Sequence, residues 1–249
     1  MDTRHQTSIT MKQVRIYNKK IYPFPSFNNL LEYSINQKKA LIAINAEKIM
    51  NSDLNLARFI NSNIGYADGA GAVLALKKLG FKNCIKIPGV DLWLYIVSKK
   101  YLTHSFYFIG GTQDVIDKVV QRVSKQFKGI NIKGATNGYF DKEKEEDIIS
   151  DILRKKPDFV FVAMGTPTQE MFIKKAQQGH QANYLGLGGS FDVYSGNKKR
   201  APRWMVKNNL EFFYRLIKEP KRFIRQGVIL KFLFLLYTKK EFISENGGN

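Results

Sequence analysis

Polar residues able to act in group transfer follow several short apolar runs of this chain. Asn45 follows one run, Asp68 follows a second, and the neighbouring pair Gln169-Glu170 follows a third. A carboxylate such as that of Asp68, placed in a crevice, can act as a general base that removes a proton from a hydroxyl group. Aspartate before glycine is also a common turn in which the carboxylate only bonds nearby backbone, so the Asp68-Gly69 pair leaves both interpretations open.

Glycines form a second group of candidate residues, because glycine turns expose backbone N–H groups that hold phosphate. The motif Gly110-Gly111-Thr112 predicts a strand–turn–helix junction with Thr112 as the helix N-cap, and it fits either a diphosphate site or a tight turn that requires glycine. Gly165 follows a further apolar run, and Gly188-Gly189 follows the last one. The spacing of Gly186-x-Gly188-Gly189 departs from the dinucleotide-binding pattern G-x-G-x-x-G, which disfavours a nicotinamide-dependent oxidoreductase.

The segment from Thr166 to Glu170 is typical of a helix start. It predicts a capping box in which Thr166 is the N-cap, Pro167 is the first helical residue and Gln169 reaches back to the N-cap. Glu170 adds a negative charge where the helix dipole stabilises one. These residues alone favour a structural role for Gln169 and Glu170 over a role in binding.

Motifs for metal ions and for several other enzyme classes are missing from the sequence. There is no Asp-x-Asp pair, no Gly-x-Ser-x-Gly elbow and no P-loop. The single cysteine, Cys84, excludes a disulfide framework, and the histidines His5, His104 and His180 lie too far apart in sequence to indicate a zinc site. We therefore expect neither a metal nor a cofactor.

The chain is strongly basic, and its charge is concentrated toward the C-terminal end. Its 249 residues include 40 Lys and Arg against 21 Asp and Glu, a net charge of +19. Thirteen basic and two acidic residues lie between residues 198 and 240. This surplus calls for a polyanionic partner. Arg215, Arg222 and Arg225 belong to a set of cations at helical spacing, which fits a diphosphate site or a helix that is merely soluble.

The same stretch contains an apolar run at residues 228–237, interrupted by Lys231. It is shorter than the roughly 20 residues that a spanning helix needs. Basic residues around a short apolar run fit a helix in the interface of an anionic membrane, and they fit equally a packed helix with a solvated basic face. A nucleic-acid-binding arm has a similar composition and is the non-enzyme alternative.

Alternating strand and helix patterns position these residues. The predicted strands cover residues 40–46, 64–67, 84–87, 105–109, 130–133, 158–164 and 183–187. The predicted helices cover residues 53–61, 70–79, 91–100, 113–127, 143–155 and 169–178. This alternation predicts an α/β fold with a mainly parallel, Rossmann-like sheet and helices on both faces. Because ligands of such sheets bind beyond the carboxyl ends of the strands, the candidate residues should meet at that edge.

A composition break near residues 197–202 divides the predicted sheet from a basic tail. We expect an α/β catalytic domain over residues 1–196 and a basic, amphipathic helical appendage over residues 197–249. Residues 14–24 predict a small hairpin or an edge strand. The first 13 residues are polar and lack the apolar stretch of a secretory signal, so a cytoplasmic location is expected.

Taken in order, these motifs resemble the WecG/TagA/CpsF family of bacterial glycosyltransferases, from about residue 42 to residue 225. The matching motifs are Ala43-Ile-Asn-Ala-Glu-Lys48, Tyr66-Ala-Asp-Gly69, Pro88-Gly-Val-Asp-Leu-Trp93, Phe108-Ile-Gly-Gly111, Gly138-Tyr-Phe140, Ala163-Met-Gly-Thr-Pro-Thr-Gln-Glu170, Gly186-Leu-Gly-Gly-Ser-Phe-Asp192, Lys199-Arg-Ala-Pro202, Glu211-Phe-Phe-Tyr-Arg215 and Glu219-Pro-Lys-Arg222. Each motif is weak singly, but together they form a specific signal over most of the chain.

The resemblance implies an inverting, metal-independent transferase that uses a UDP-activated N-acetylmannosamine-type sugar. Its acceptor would be N-acetylglucosamine on a polyprenyl diphosphate, at the cytoplasmic face of an anionic membrane. In this family the aspartate matching Asp68 is the proposed general base, and residues matching Asn45 and Gln169 lie near the sugar. An appendage is thought to close over the site and neutralise diphosphate charge. Its matching arginines are Arg215, Arg222 and Arg225.

Two departures from the family pattern bear on the donor sugar. Many members have Thr-x-Asn where this chain has Ala43-Ile44-Asn45, and Pro-Lys-Gln-Glu where it has Pro167-Thr168-Gln169-Glu170, so a hydroxyl group and a cation are lost. The motifs at residues 43–48 and 91–93 otherwise look most like the WecG branch, which transfers N-acetylmannosaminuronic acid for enterobacterial common antigen. The TagA branch transfers N-acetylmannosamine for wall teichoic acid linkage. We therefore expect the uronate donor.

The remaining expectations concern binding and partners. We expect the substrate to be bound by the glycines at the strand ends, by Thr112 and by Glu170. These glycines are Gly110, Gly111, Gly165, Gly188 and Gly189. A homo-oligomer fits the apolar surface that family members expose when the appendage is not docked. No nucleic-acid partner is expected.

Overall fold

The computed structural model describes residues 12–207, 213–214 and 226–244. The first described strands, β1 (Val14–Ile16) and β2 (Lys19–Ile21), form an antiparallel hairpin, as predicted for residues 14–24. The chain then enters α1 (Phe27–Gln37), where the hydroxyl oxygen of Ser26 accepts a hydrogen bond from the N–H of Asn29 and so starts the helix.

Six parallel strands form the main sheet. They are β3 (Leu41–Ile44), β4 (Ile64–Ala67), β5 (Ser105–Gly110), β6 (Asn131–Thr136), β7 (Phe159–Ala163) and β8 (Asn183–Gly186). Their order across the sheet is β4-β3-β8-β7-β5-β6, and every pairing is parallel. Every residue of β5 and β7 is buried, as is typical of strands covered on both faces.

Helices connect and follow these strands. They are α2 (Ala46–Met50), α3 (Leu54–Asn61), α4 (Ala70–Lys78), α5 (Gly89–Lys100), α6 (Gln113–Gln126), α7 (Lys142–Lys155), α8 (Thr168–Gly179), α9 (Ser190–Ser195), α10 (Arg203–Lys207) and α11 (Gln226–Thr238). One apolar cluster joins α2, α3, α4, α7, α8 and α11 to the sheet, and a second joins α1, α5, α6 and α9 to it. The predicted α/β fold, with a mainly parallel Rossmann-like sheet between two helical layers, is confirmed.

One predicted strand is wrong. Residues 84–87 form an irregular connection between α4 and α5. The N–H of Ile85 donates to the carbonyl of Phe24 at 3.2 Å, whereas the N–H of Ile87 donates to the carbonyl of Ala67 at 2.8 Å. Because these two donors reach different segments, the stretch forms no ladder, although Cys84 and Ile87 are buried. Helices α2 and α9 were not predicted, since 5 and 6 residues are too few for helical periodicity to show, and α1 was also missed.

The end of the described chain packs back onto the α/β unit. On α11, the side chains of Phe232 and Leu236 are fully buried in the apolar cluster that includes α2 and α4. The Lys78 ammonium donates to the carbonyl of Leu236 at 2.8 Å and lies 4.3 Å from the ring centre of Tyr237. Like the other helices in the described ranges, α11 does not combine the length and hydropathy needed to cross a membrane. The domain division at residue 197 stays a prediction.

A final short strand, β9 (Ile243–Ser244), pairs antiparallel with β1 and completes a small sheet of order β2-β1-β9. The turn before it places the ring of Phe242 5.6 Å from the ring of Phe232 on α11. The tail is therefore tied to the N-terminal hairpin as well as to the main sheet.

Candidate active site

The candidate residues lie along the carboxyl edge of the main sheet, as expected from their places after the apolar runs. Asn45 follows β3, Asp68 follows β4, Gly110 ends β5 and Gly165 lies just beyond β7. Gly188-Gly189 follows β8, and the second of these glycines is the N-cap of α9. The strands β5 and β7 are neighbours in the sheet. The chain leads from β5 to β6 on one side of this pair and from β7 to β8 on the other side, and such a change of direction opens a crevice between the two strand ends.

Asp68 is held at the start of α5. The N–H of Gly89, the first residue of that helix, donates to Oδ1 of Asp68 at 3.3 Å, and the N–H of Asp68 donates to the carbonyl of Ile44 at 3.0 Å. These bonds fix a carboxylate that is half-buried at the edge of the sheet. Burial, with a smaller contribution from the charge of Asp68, raises the pKa of the neighbouring Tyr66 phenol well above its usual value.

Asn45 stands beside Asp68 and caps α2. Its Oδ1 accepts a hydrogen bond from the N–H of Lys48 at 2.8 Å. A Cβ atom at Gly69 would lie 3.0 Å from the Cβ of Asn45, so a side chain at that position would push the two strand ends apart. The glycine of the Asp68-Gly69 pair therefore permits close approach, beyond its role in a turn.

The capping box predicted at Thr166 is wrong. The N-cap of α8 is Pro167, which has no side-chain donor or acceptor. Gln169 instead joins two loops, because its Oε1 accepts the N–H groups of Gly165 at 3.2 Å and Gly188 at 2.8 Å. These two N–H groups are thereby used within the protein. Substrate binding by either glycine stays a prediction and has to use other atoms.

A buried ion pair between Lys48 and Glu170 lies beside Gln169. Oε1 of Glu170 accepts hydrogen bonds from Nζ of Lys48 at 2.9 Å, from the Thr166 hydroxyl at 3.0 Å and from Nε2 of Gln169 at 3.1 Å. The charged side chains are only 10% and 5% exposed. The bond from Nε2 orients the Gln169 amide so that its oxygen faces the two glycines. No local pattern in the sequence indicates this role of Lys48, because its partner lies 122 residues away.

The Gly110-Gly111 turn connects β5 to the 14-residue helix α6. The two φ angles are +139° and +69°, and a Cβ atom at Gly110 would overlap the carbonyl group of Ala163, so both positions require glycine. Thr112 is the N-cap, as predicted, and its hydroxyl oxygen accepts the N–H of Val115 at 3.4 Å. The positive end of the α6 dipole therefore lies at the crevice beside β7, where it favours an anion.

Arg200 links the start of the C-terminal segment to α5. Its Nη1 and Nη2 atoms each donate to one carboxylate oxygen of Asp91 at 2.6 Å, which makes a bidentate pair. Asp91 lies in the first turn of α5, two residues after Gly89, whose N–H bonds Asp68. Both residues stand in motifs named above, but nothing in their spacing indicates that they pair.

The amino-acid sequence matches the model of a known protein family. The sequence model of the Glycosyl transferase WecG/TagA/CpsF family matches residues 16–246. The chain belongs to this family. One similar curated protein is the N-acetylglucosaminyldiphosphoundecaprenol N-acetyl-beta-D-mannosaminyltransferase of Bacillus spizizenii, which is 39% identical over 168 residues. The match covers 67% of this chain and 65% of the length of that relative.

The motif Gly138-Tyr-Phe140 supplies the exposed aromatic ring of Tyr139. Tyr139 lies in the loop after β6, and its side chain is 77% exposed. The N–H of its neighbour Gly138 donates to the carbonyl of Gly111 at 2.8 Å, which holds this loop against the turn before α6. An aromatic face beside an anion-binding helix end suits a nucleotide base, because bases stack on such rings. The signal in the sequence was the motif Gly138-Tyr-Phe140.

The arginines of the WecG/TagA/CpsF appendage fall outside the described residues. Arg215, Arg222 and Arg225 lie in the undescribed range 215–225. Their binding of diphosphate therefore stays a prediction.

Two histidines of this chain line a cavity at the amino ends of the strands, on the side of the sheet opposite to the candidate active site. His104, His180 and Asp158 contribute to its wall, and its volume is about 240 Å³. Oδ2 of Asp158 already accepts the N–H and the hydroxyl of Ser105, each at 2.7 Å, and burial lowers the pKa of His104. Across residues 12–207 and the described parts of the tail, no group of three His, Cys, Asp or Glu side chains could hold a metal ion.

Proposed function

We propose that this chain transfers a sugar from a UDP donor to a lipid-linked acceptor, with inversion at C1 of the sugar. The proposed acceptor is N-acetylglucosamine on diphospho-undecaprenol, the acceptor in the name of the Bacillus relative. The observation that carries the proposal is the Asp68 carboxylate, bonded by the N–H of Gly89 at the edge that also holds Asn45 and the start of α6.

Asp68 acts as the general base of this reaction. Its carboxylate takes the proton of the acceptor hydroxyl, and the hydroxyl oxygen forms a bond to C1 of the sugar from the face opposite UDP. The bond between C1 and the β-phosphate oxygen breaks, UDP leaves with the electron pair, and the configuration at C1 inverts. Asp68 then returns its proton to solvent.

The departing UDP carries negative charge that needs stabilisation. The first-turn N–H groups of α6, presented by the Gly110-Gly111-Thr112 turn, provide part of it, and Tyr139 stacks on the uracil ring. Arg215, Arg222 and Arg225 are proposed to supply positive charge. With these groups the reaction needs no metal and no cofactor.

The proposed donor sugar is N-acetylmannosamine. The motif resemblance favoured its uronate, whose extra carboxylate has to be matched by a cation. Two cations near the carboxyl edge, Lys48 and Arg200, already pair with Glu170 and Asp91. The Bacillus relative is also named for transfer of N-acetylmannosamine. The uronate remains the alternative that a comparison of donors decides.

Helix α11 supports a peripheral position on the inner face of the plasma membrane, where the undecaprenyl chain of the acceptor resides. Leu230, Phe234 and Tyr237 recur at helical spacing and are 68%, 63% and 63% exposed. An apolar stripe within a basic segment suits an anionic lipid surface. The homo-oligomer, expected from apolar surface that family members expose when the appendage is not docked, stays a prediction, and no nucleic-acid partner is proposed.

Release of UDP by the purified chain tests the proposal. A short-chain N-acetylglucosaminyl diphospholipid is supplied with UDP-N-acetylmannosamine or with UDP-N-acetylmannosaminuronate, in the presence of EDTA. Release with the neutral sugar supports the proposal, and release with the uronate alone replaces the donor. Release with neither, together with strongly salt-dependent binding of DNA or RNA, would favour the nucleic-acid-binding alternative.

A further inference from the structure

The exposed side of α4 continues the apolar stripe of α11. A Cβ atom at Gly71 would lie 3.2 Å from the ring of Phe232, and the Lys78 ammonium lies 4.3 Å from the ring centre of Tyr237. The two helices therefore run side by side in the same direction, with Gly71 and Lys78 on the side of α4 that contacts α11. Leu74 lies between these two residues at helical spacing and is 37% exposed.

Leu74 extends the row of exposed apolar side chains on α11. Because residue 71 meets residue 232 and residue 78 meets residue 237, Leu74 lies at the level of Phe234. Single exposed apolar side chains are common on proteins, whereas a contiguous group on two packed helices marks an interaction surface. We call this group the α4/α11 face, and its members are Leu74, Leu230, Phe234 and Tyr237.

The charges around the α4/α11 face decide what can cover it. Lys77 and Lys78 end α4, Lys231 lies on α11 and Lys239 follows that helix, and all four residues are exposed. Neither helix contains an acidic residue. A second copy of the chain would bring the same cations and be repelled. An anionic lipid bilayer instead offers acyl chains to the apolar side chains and phosphates to the lysines.

We infer that α4 and α11 together bind an anionic lipid bilayer, with the α4/α11 face against the acyl chains and Lys77 and Lys231 at the headgroup phosphates. This inference rests on the proposed transfer to a lipid-linked acceptor, and it assigns part of the membrane contact to the α/β unit itself. Lys78 has a positioning role, because its ammonium donates to the carbonyl of Leu236 at 2.8 Å and so ties the last turn of α11 to α4.

This surface also determines where the proposed base lies relative to the bilayer. Helix α4 begins at Ala70, two residues after Asp68, and Leu74 lies about 6 Å further along the helix axis. The bilayer that covers Leu74 is therefore close to the carboxyl edge of the sheet. An acceptor sugar that extends from the membrane surface past the start of α4 reaches Asp68 while its polyprenyl chain stays among the lipids.

A fluorophore at position 74 tests the contribution of α4. Cys84 is buried and burial raises the pKa of its thiol to about 11, so a thiol-reactive NBD dye labels Leu74→Cys selectively in the full chain. Vesicles of phosphatidylglycerol and phosphatidylcholine should shift the NBD emission to shorter wavelength, as in labelled Leu230→Cys. Leu102→Cys is the matched control without a shift, since Leu102 is 72% exposed but follows α5. A shift at position 230 alone would contradict the inference.

Lys77→Gln tests the headgroup contact. The substitution removes one positive charge and keeps most of the side-chain length, so we expect about fivefold weaker binding to the anionic vesicles. Binding to vesicles of phosphatidylcholine alone should not change. Lys125→Gln makes the same chemical change on α6, in the other helical layer, and should bind like the wild type. An equal loss in both variants would mean that net charge, and not this surface, attracts the bilayer, which overturns the inference.

The vesicle experiments need no substrate, so their failure is distinguishable from a failure of the proposed function. A chain that transfers sugar to a water-soluble acceptor but shows no vesicle-dependent shift at position 74 contradicts the inference alone. A chain that shows the shift but releases no UDP contradicts the proposed transfer and still supports the membrane contact. Emission at position 74 that moves to shorter wavelength with protein concentration, without vesicles, would identify a second copy as the occupant and overturn the inference.

Discussion

The guanidinium group of Arg200 donates two hydrogen bonds of 2.6 Å to the carboxylate of Asp91. This pair joins the first residues of the C-terminal segment to helix α5. The first N–H of the same helix, that of Gly89, bonds the carboxylate of Asp68. The place of the C-terminal segment and the orientation of the proposed base therefore depend on one helix.

Arg200→Lys tests this dependence. Lysine cannot reproduce the planar fork that bonds both oxygens of Asp91, so we expect kcat to fall about tenfold with a small loss of stability. Transfer kinetics and thermal unfolding measure the two effects. Lys144→Met, which removes the exposed pair with Asp147 on α7, is the control and should leave kcat unchanged. An unaltered kcat in Arg200→Lys would show that the pair serves only the fold.

Asp68→Asn removes the proposed base and keeps its shape. The amide oxygen can still accept the N–H of Gly89, so the fold and UDP binding should be retained. We expect kcat to fall by about 10³-fold. Transfer assays and UDP calorimetry on the same preparation check both statements. Turnover within tenfold of the wild type would exclude Asp68 as the base.

Tyr139→Ala tests the exposed ring in the loop after β6. Stacking of a base on an aromatic side chain contributes about 1–3 kcal/mol, so the dissociation constant for UDP should rise by about 5- to 150-fold. Tyr139→Phe keeps the ring and should bind UDP like the wild type. Equal affinities for the alanine and phenylalanine variants would mean that the base lies elsewhere.

The apolar stripe of α11 is tested by the double substitution Leu230→Glu and Phe234→Glu. Two carboxylates on the exposed side of the helix should abolish co-sedimentation with anionic vesicles, while transfer to a water-soluble acceptor persists. Leu102→Glu is a matched control, because Leu102 is 72% exposed but lies after α5. Vesicle binding that survives the double substitution would rule out this stripe as the membrane contact.

The lowered pKa of Lys19 should make the stability of the fold depend on pH. Its ammonium group is buried and donates to the carbonyl of Asn51 and, at 2.6 Å, to Oδ1 of Asn18. Burial lowers its pKa from 10.5 to about 8, against a smaller opposing effect of Asp53. Between these two values the folded chain has released a proton that the unfolded chain still binds, so the free energy of unfolding gains a favourable contribution as the pH rises.

The measurement compares the wild type with Lys19→Met in urea at pH 7 and pH 9.5. The unfolding free energy of the wild type minus that of Lys19→Met should be about 1 kcal/mol or more higher at pH 9.5 than at pH 7. A difference that does not change with pH would contradict a lowered pKa at Lys19.

The strand ends of the site could be predicted because buried parallel strands are continuous apolar runs. Once those runs were assigned to one parallel sheet, the residues after them had to share an edge. Asn45, Asp68, Gly110 and Gly165 were placed correctly at that edge for this reason. The N-cap role of Thr112 was also predictable, because it depends only on a residue and its near neighbours.

Contacts between distant segments could not be predicted. The pair Lys48 and Glu170 exists because α2 lies beside α8, and no local pattern encodes that neighbourhood. The wrong capping box has the same cause: local physics favours it, but the Thr166 hydroxyl finds Glu170 and the Gln169 amide finds two glycine N–H groups. In residues 84–87 only Cys84 and Ile87 are buried, and the burial of two residues does not by itself specify a ladder.

The pairing of β9 with β1 has a consequence for biosynthesis. β1 leaves the ribosome before any strand of the main sheet, whereas β9 is the last described strand to emerge, so one edge of the hairpin has no partner while the rest of the chain is made. Unpaired strand edges recruit strands from other molecules. Loss of Ile243 and Ser244 would make that transient edge permanent, and nascent or truncated chains would then aggregate through β1 even with every residue of the active site intact.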